Sequence, residues 1–530
     1  MVERDDLPFA LNNLARIPEA LRANIKRDYW ETYKIGMGHY KHEGRARANT
    51  FLREAAEHLQ DIPANYLDDE DTLREYAESK ARLCKDLFRR AGDRFKGFTA
   101  IERFLNDEHI DEPQQDGDRY LSRVFCASWW LRALRKSLAR QVESVALRIG
   151  YVHARKQVYC SDFAIERRRN QRHRLRDYAN SLELVNEVGD CFKLSELINK
   201  STANPEVRRA ELMTRIRGME EVSQRIGSAA VFLTMTAPSK YHASSKKYNG
   251  ATPREVQAYF NKQWSKIRAE WGRHDLHPFG VRVVEPHQDG CPHWHMLLFI
   301  EPDRQRDLIS IARRYSFEID GKEKGAYKAR FKVEFINRHK GSAAAYVAKY
   351  ISKNIDGFAL DYVKDGDEIV PIPAAEAAER IDAWASLWGI RQFQFIGSPP
   401  VTIWRELRRI SDNDDQFDYA PAEMARRAAD CGDWAVFTLR YVRAAAEGNP
   451  LELWKDDEQR IGIYGDLLPP KNVGVKCGED FALTRWHTWE LLSEHSEPWT
   501  GVNNCTHSKN IIEEAIKISK FSGEPPPIIH

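Results

Sequence analysis

Residues 281–300 read VRVVEPHQDGCPHWHMLLFI, and this stretch decides how the rest of the chain is interpreted. Two apolar runs, at residues 281–285 and 293–300, lie on either side of the turn-forming pair Asp289-Gly290. Such runs around a short glycine-containing turn are typical of a β-hairpin. The segment therefore predicts two antiparallel strands joined by a tight loop.

The second predicted strand carries His293 and His295, two positions apart. Because side chains alternate between the two faces of a strand, both imidazoles lie on one face. An isolated pair of this kind is more often a pair of buried packing residues than a pair of ligands. Here Glu285 and His287 lie just across the turn, and the four residues together predict a site for one divalent metal ion.

The length of the loop decides which residues face each other across the hairpin. A two-residue turn would place Glu285 and His287 on the face opposite the other two histidines. A three-residue loop of residues 289–291 is favoured, because such loops commonly contain glycine, and it pairs Glu285 with His295 and His287 with His293. Glu285 and His287 are then rival third ligands. An oxygen ligand beside two histidines suits Mg²⁺ or Mn²⁺, which favours Glu285.

Alternating runs elsewhere predict three more strands, at residues 229–236, 331–336 and 391–396, with helical patterns between them. This order predicts an α+β fold in which a central five-stranded antiparallel sheet carries helices. Residues 365–376 are acidic and contain proline, and we expect them to form a loop.

Three regions are expected along the chain. Residues 1–205 show helical spacing throughout and form a mainly helical region that is a candidate for DNA binding. Residues 225–410 hold the sheet and its histidines. Residues 411–530 form a smaller helical region that ends in a disordered tail containing Pro525-Pro526-Pro527.

Composition excludes several classes of protein. The 530 residues carry a net charge of only +2, and 30% of them are charged. No apolar stretch approaches the roughly 20 residues that cross a bilayer, and the opening MVERDD is unlike a secretory signal, so we expect a cytoplasmic protein. The phosphate-binding pattern G-x-x-x-x-G-K-S/T is absent, so the chain is not expected to be an ATP-driven helicase.

Residues 342–354 predict a helix in which Tyr346 and Tyr350 are four positions apart, and their phenols therefore lie on one face. Lys349 and Lys353 flank them. The ordinary interpretation is an amphipathic helix with two core tyrosines. The alternative is a pair of nucleophiles, because a tyrosine phenol can attack a phosphodiester and retain the DNA end as a phosphotyrosine.

A basic segment at residues 167–176 is the third candidate functional feature. Clustered guanidinium groups bind phosphate by releasing counterions from nucleic acid, but a run of charges can equally be a solvated helix face, and the sequence leaves both open. The six arginines of the segment are Arg167, Arg168, Arg169, Arg172, Arg174 and Arg176.

The two motifs together carry a resemblance. PHWH at residues 292–295, followed by YVAKYISKN at 346–354, resembles the two-tyrosine HUH endonucleases, and most closely the phage replication gene A protein family. Supporting stretches are FLTMTAPS at 232–239, RRAELM at 208–213 and PPVTIWREL at 399–407. The resemblance covers roughly residues 160–410 and is weak outside them.

The resemblance implies an HUH-type sheet and a sequence-specific nick in one DNA strand at a phage or prophage origin. A 5′-phosphotyrosine would form, and the free 3′-hydroxyl would prime rolling-circle replication. By position, His293 and His295 correspond to metal ligands, and Tyr346 and Tyr350 to nucleophiles. Lys349 is expected to assist them catalytically.

The expected partners are single-stranded or locally melted origin DNA, together with the helicase, DNA polymerase and single-strand binding protein of a bacterial host. A plasmid relaxase or an HUH transposase would use the same residues and stays an alternative. A non-catalytic DNA-binding protein is a further alternative, which the intact histidines and tyrosines disfavour.

Overall fold

The computed structural model describes residues 6–17, 19–35, 41–59, 70–360, 362–365, 368–410, 417–492, 499–500 and 505–506. The chain forms two compact units. The first comprises Met1–Tyr151, Ile461–Leu467 and His495–His530, and the second comprises Val152–Arg460 and Leu468–Glu494. Residues 152–205 therefore lie in the same unit as the predicted sheet. The expected disordered tail around residues 525–527 lies outside the described residues.

The first unit is built from helices whose buried positions recur every three or four residues. In the longest of them, Trp130, Leu134 and Leu138 lie along one buried stripe. A two-stranded ribbon of Trp499–Thr500 and Cys505–Thr506 also belongs to this unit. The helices are α1 (Asp6–Ala15), α2 (Glu19–Ile35), α3 (Lys41–Leu59), α4 (Glu70–Arg90), α5 (Arg94–Asp107), α6 (Gly117–Val124) and α7 (Ala127–Arg148).

The second unit mixes helices and antiparallel strands. Its helices are α8 (Asp162–Ser181), α9 (Leu194–Lys200), α10 (Pro205–Arg225), α11 (Pro253–Arg273), α12 (Gln305–Ser316), α13 (Ala326–Ala329), α14 (Ala343–Ile355), α15 (Ala374–Trp388), α16 (Val401–Leu407), α17 (Ala420–Asp430) and α18 (Trp434–Ala446). Its strands are β1 (Glu183–Asn186), β2 (Cys191–Lys193), β3 (Ala229–Thr236), β4 (Phe279–Pro286), β5 (Pro292–Ile300), β6 (Phe331–Phe335), β7 (Tyr362–Asp365), β8 (Glu368–Pro373), β9 (Phe393–Ile396), β10 (Leu451–Lys455), β11 (Asn472–Cys477), β12 (Asp480–Leu483) and β13 (Trp489–Leu492).

The predicted five-stranded sheet is present. Its strand order is β6-β3-β5-β4-β9, and every neighbouring pair is antiparallel. The five strands are those that sequence alternation predicted, with boundaries that differ by a few residues. The expectation of an α+β fold around an antiparallel sheet is therefore confirmed.

Helices cover both faces of this sheet. On one face, α10 and α14 pack against Phe232, Val283 and Leu297. On the other face, α11 and α12 cover the residues that alternate with these, and the Trp294 ring stacks on Phe260 with centroids 5.2 Å apart. Because β5 is buried on both faces along its whole length, polar side chains within it require partners from neighbouring elements.

The register of the β4–β5 hairpin differs from the prediction. Glu285 pairs with His293, rather than with His295. The loop has three residues as expected, but they are residues 288–290, since the His287 amide donates to the Cys291 carbonyl at 2.7 Å. A three-residue loop usually places a left-handed residue last, and Gly290, with φ of 78°, takes that place rather than the centre.

The shifted pairing keeps the odd-numbered residues on one face, because it moves the register by two positions rather than one. Glu285, His293 and His295 thus share the face that α10 and α14 cover. The loop itself is held from outside the hairpin: the Trp384 indole of α15 donates to the Gly290 carbonyl at 2.9 Å.

Helix α14 starts at a well-capped position. Ser342 Oγ accepts from the Ala345 amide at 2.9 Å. The buried carboxylate of Glu220, on α10, accepts from the amides of Ala343 and Ala344 at 2.7 and 3.0 Å. A negative charge at a helix N-terminus is favourable, because the unpaired amides and the helix dipole are positive there. These contacts fix where the tyrosine helix begins above the sheet.

The described residues within 365–376 do not form a loop, contrary to the expectation. They contain β8, which pairs with β7, and the first turn of α15. Ten of the 15 residues of α15 are buried, so its polar residues form only a narrow stripe, which a periodicity argument detects poorly.

The remainder of the second unit adds α16 to α18 and the antiparallel sheet β10-β11-β12. Trp404 packs against Trp434 and Phe437 at centroid distances of 5.0 and 5.1 Å. The helical pattern expected after residue 411 corresponds to α17 and α18, while strands β10 to β13 were not predicted. None of the helices in the described ranges is both long enough and apolar enough to cross a bilayer.

Candidate active site

Glu285, His293 and His295 form a buried cluster in the middle of the sheet face beneath α14. One ligand atom from each lies within 4.8 Å of the others. The two histidine Nε2 atoms are 2.8 Å apart, and each is 3.8 Å from the same oxygen of Glu285. Three donor atoms therefore converge on one point, as predicted for a metal site.

The donor set suits a divalent cation. Imidazole binds metal in its neutral form. Burial, followed by the positive charges of His287, His295 and Lys353, holds the pKa of His293 well below its ordinary value of 6.5. Its Nδ1 atom is buried and has no hydrogen-bond partner among the residues that the structure describes. A carboxylate beside two imidazoles thus forms a set of one oxygen and two nitrogen ligands.

Neighbouring residues orient two of the three donors. Thr234 Oγ1, on β3, lies 3.0 Å from His295 Nδ1, which directs the Nε2 atom toward the cluster. The Glu285 carboxylate accepts from Lys353 Nζ at 2.8 Å and from Asn354 Nδ2 at 2.7 Å. Gln392 then donates to the Asn354 amide oxygen at 3.1 Å. The carboxylate is therefore held by side chains from α14 and from the residue before β9.

His287 lies outside the set of converging donors. Its ring stacks on His293 with centroids 4.0 Å apart and also contacts His242 at 5.1 Å. The adjoining loop is fixed by Asp289, whose carboxylate accepts from Ser244 Oγ at 2.7 Å. Of the two rival third ligands, Glu285 has the placement of a ligand, and His287 has that of a residue that supports His293.

Tyr346 and Tyr350 are on the face of α14 that looks onto this cluster. The Tyr350 ring is 4.3 Å from the His295 ring, and the two tyrosine rings are 6.3 Å apart. Phe232 packs against both tyrosines, at 4.7 Å from Tyr346 and 5.3 Å from Tyr350. Tyr350 is therefore next to the donor set, and Tyr346 is one helical turn further away.

Both phenols are half-buried, and burial raises the pKa of each above its ordinary value of 10. The negative charge of Glu334 raises the pKa of Tyr346 further, and that of Glu285 raises the pKa of Tyr350. Both tyrosines are consequently protonated near neutral pH. Use of either as a nucleophile requires that its proton be removed during the reaction.

The two lysines of α14 have different surroundings. Lys349 is exposed, and its Nζ atom lies 4.5 Å from the Tyr346 ring centroid and 4.9 Å from that of Tyr350. Lys353 is buried against Glu285. Lys349 is thus free to approach a phosphate beside the phenols, whereas Lys353 balances the charge of the buried carboxylate.

The basic segment forms the middle of α8, and three of its arginines are paired with α15. Arg168 and Arg172 contact Asp382 at 2.6 and 3.3 Å, and Arg169 contacts Glu379 at 2.5 Å. These three join the two helices. The exposed arginines at the C-terminal end of the segment are Arg174 and Arg176.

Several residues of the site were not identified from the sequence. Asn354 had a usable signal, since it lies four positions after Tyr350 on the same helix face. No comparable sequence signal marks Thr234, Glu334 and Gln392, because strand pairing brings them to the site and sequence spacing does not reveal that pairing.

The model of the bacteriophage replication gene A protein (GPA) family matches residues 89–358, about half of the chain. The chain belongs to that family. The predicted resemblance is therefore confirmed, and both motifs lie within the matched range. No solved structure matches the chain.

Individual relatives extend the match to about three quarters of the chain. The replication gene A protein of Escherichia phage 186 is 43% identical over 422 residues, which cover 73% of this chain and 60% of that protein. The probable replication protein P12 of Pseudoalteromonas phage PM2 is 39% identical over 398 residues, covering 74% and 62%. A probable replication endonuclease from a prophage-like region of Salmonella typhimurium is 31% identical over 432 residues, covering 74% and 52%. The matched part of the chain thus spans between about half and two thirds of these relatives' lengths.

The lowered pKa of His293 makes the metal-free protein sensitive to acid. Below about pH 6.5 an unfolded chain protonates this histidine while the folded chain does not, so stability falls as pH falls. Between pH 7.5 and 5.5 the unaltered chain should lose about 1.4 kcal/mol more unfolding free energy than His293→Gln does. Urea denaturation in the presence of a chelator measures this difference.

The matched control is His277→Gln, which removes a side chain that is 76% exposed. It should show the same acid sensitivity as the unaltered chain. If the unaltered chain and His293→Gln lose equal amounts of unfolding free energy on acidification, the inferred neutral, buried state of His293 is contradicted.

Proposed function

We propose that this chain is a replication endonuclease that nicks one strand of origin DNA through a tyrosine. The observation that carries the proposal is the position of Tyr350, whose ring centroid is 4.3 Å from that of His295 in the donor set. The same helix supplies Lys353 and Asn354, which hold the Glu285 carboxylate of that set. The relatives named as replication endonucleases support it. Initiation of rolling-circle replication at a phage or prophage origin is the proposed role.

In the proposed reaction a tyrosine Oη gives up its proton to water or a nearby base and attacks the phosphorus of a phosphodiester. The bond from phosphorus to the 3′ oxygen breaks, the protein keeps the 5′-phosphate as a phosphotyrosine, and the 3′ oxygen takes up a proton to become the primer hydroxyl. Lys349, close to both rings and exposed, is suited to stabilise negative charge on the phosphate. Lys353 and Asn354 keep Glu285 oriented within the donor set.

Glu285, His293 and His295 are the proposed ligands of Mg²⁺ or Mn²⁺. When bound, such an ion supplies Lewis-acid stabilisation of charge on the phosphate oxygens. The oxygen of Glu285 favours these hard cations, and the neutral state of His293 keeps its ring available as a ligand. The paired histidines on β5, facing a helix with two tyrosines, support an HUH-type assignment for the sheet.

The proposed partner is single-stranded or melted origin DNA, and Arg174 and Arg176 of α8 are proposed contacts for its backbone. The N-terminal helical region is a further candidate for DNA binding. Since this sequence has no phosphate-binding loop, strand separation is assigned to a host helicase, and extension to host polymerase and single-strand binding protein, in the bacterial cytoplasm. Relaxases and transposases share the chemistry, but the relatives' names favour replication.

The metal assignment makes a prediction about chelation and about the rival ligands. Chelator should abolish covalent adduct formation on single-stranded DNA, and Mg²⁺ or Mn²⁺ should restore it. Glu285→Ala should reduce the cleavage rate more than His287→Ala, because only Glu285 directs an atom into the donor set. Denaturing gels of the adduct measure both effects. Full cleavage in excess chelator, or a larger loss with His287→Ala, would contradict the assignment.

The tyrosine assignment predicts different results for single and double variants. Tyr346→Phe and Tyr350→Phe should each retain some adduct, because one phenol remains on the same helix face, and the double variant should form none. Transfer that needs two successive cleavages should fail in both single variants. Mass spectrometry of the adduct peptide identifies the residue used. Adducts on one tyrosine alone would reduce the proposal to a single nucleophile.

The arginine assignment separates exposed from paired residues on α8. Arg174→Ala combined with Arg176→Ala should weaken DNA binding for all sequences and flatten the dependence of log affinity on log salt by about 1 to 2. Arg168→Ala is the matched control, since its guanidinium already pairs with Asp382 and should change the slope less. Fluorescence anisotropy across a salt series measures both. An unchanged slope in the double variant would show that these arginines are part of a solvated helix face and do not contact DNA.

A further inference from the structure

The two tyrosines of α14 differ in their access to a carboxylate. The Tyr346 hydroxyl donates a hydrogen bond to Glu334 Oε2. Glu334 is on β6, the edge strand of the central sheet, and pairs in register with Phe232 of β3. Since residues directly opposite each other share a face, its side chain extends toward α14, where the Phe232 ring also contacts Tyr346.

Tyr350 lacks this contact. Its ring lies against Phe232 and His295, and within the described residues no hydrogen bond joins its hydroxyl to a carboxylate. The nearby Glu285 is already engaged by Lys353 and Asn354. The Tyr350 hydroxyl is instead hydrogen-bonded to the Tyr346 hydroxyl. Of the two phenols, Tyr346 is thus the one in direct contact with a carboxylate.

We propose that Glu334 is a catalytic residue that accepts the phenolic proton of Tyr346 during strand cleavage. This assignment rests on the proposed function and deepens it. As the bond from Tyr346 Oη to phosphorus forms, the proton passes to Glu334 Oε2. The bond from phosphorus to the 3′ oxygen breaks, and that oxygen takes a proton from water. In rejoining, a 3′-hydroxyl attacks the phosphotyrosine and loses its proton to water, and Glu334 returns a proton to the departing tyrosine oxygen.

The surroundings suit a general base. Glu334 is exposed, so a proton that it accepts can pass on to solvent. The charged and titratable groups facing this region are Lys332 on the same face of β6, Lys349 over the Tyr346 ring, Tyr350 of α14, and His295 of β5 beside Tyr350. Burial keeps the Tyr346 phenol protonated at neutral pH, so attack by this residue needs an acceptor.

The test isolates each tyrosine in the full-length chain. The probe is a set of single-stranded oligonucleotides that cover the protein's own coding sequence, supplied with Mg²⁺. Adduct formation is timed in the Tyr350→Phe background, where Tyr346 acts alone, and in the Tyr346→Phe background. Glu334→Gln should slow the first reaction by about 100-fold, the lower range for loss of a general base, and by at least tenfold more than it slows the second.

Two further variants separate base catalysis from structural support. Glu334→Asp should retain part of the rate at which Tyr346 forms the adduct. Glu334→Gln should shift the pH–rate profile of that same reaction to higher pH. Glu301→Gln, which removes an exposed carboxylate just after β5 without touching a tyrosine, is the matched control and should leave the rate within twofold.

Three outcomes would overturn the role of Glu334 and leave the proposed function standing. They are equal losses in both backgrounds, a faster Tyr346 reaction in Glu334→Gln, and adducts in the unaltered chain that form on Tyr350 only. Complete absence of adduct from the unaltered chain would overturn the proposed function, and the role of Glu334 with it.

Discussion

The contact between Glu285 and Lys353 determines the arrangement of the whole site. Both groups are buried, and the ammonium and carboxylate are 2.8 Å apart. An uncompensated charge in such a place would cost several kcal/mol, so each depends on the other. Because Lys353 and Asn354 follow Tyr350 on the same face of α14, satisfying Glu285 also fixes the rotation of the helix. The tyrosines therefore face the histidines as a consequence of charge neutralisation in the core.

The same constraint explains why the site is divided between rigid elements. The histidines are on β5, which is covered on both faces, and the carboxylate is on its neighbour β4. The phenols come from a helix whose start is fixed by Ser342 and by the carboxylate of Glu220. If these groups react as proposed, holding them in this way leaves them little conformational freedom to lose when a substrate binds, which favours a defined geometry of attack.

Sequence reasoning succeeded where periodicity carries the information. The five central strands follow from alternation, and the common face of Glu285, His293 and His295 follows from their even spacing across a three-residue loop. The register failed because glycine was placed at the centre of the loop, whereas its left-handed conformation belongs at the end. Helix α15 was missed because it is buried on most sides. The partners of Glu285 and Tyr346 depend on tertiary packing and strand pairing, which local patterns do not encode.

Helix α15 contacts two distant parts of the second unit at once. Its Asp382 and Glu379 pair with arginines of α8, and its Trp384 indole holds the Gly290 carbonyl in the loop between the strands that carry the donor set. If DNA binds at Arg174 and Arg176 as proposed, α15 would connect that contact to the loop beside the donor set through one continuous helix. The position of α8 relative to the two histidines is then set by a single element, rather than by a chain of separate contacts.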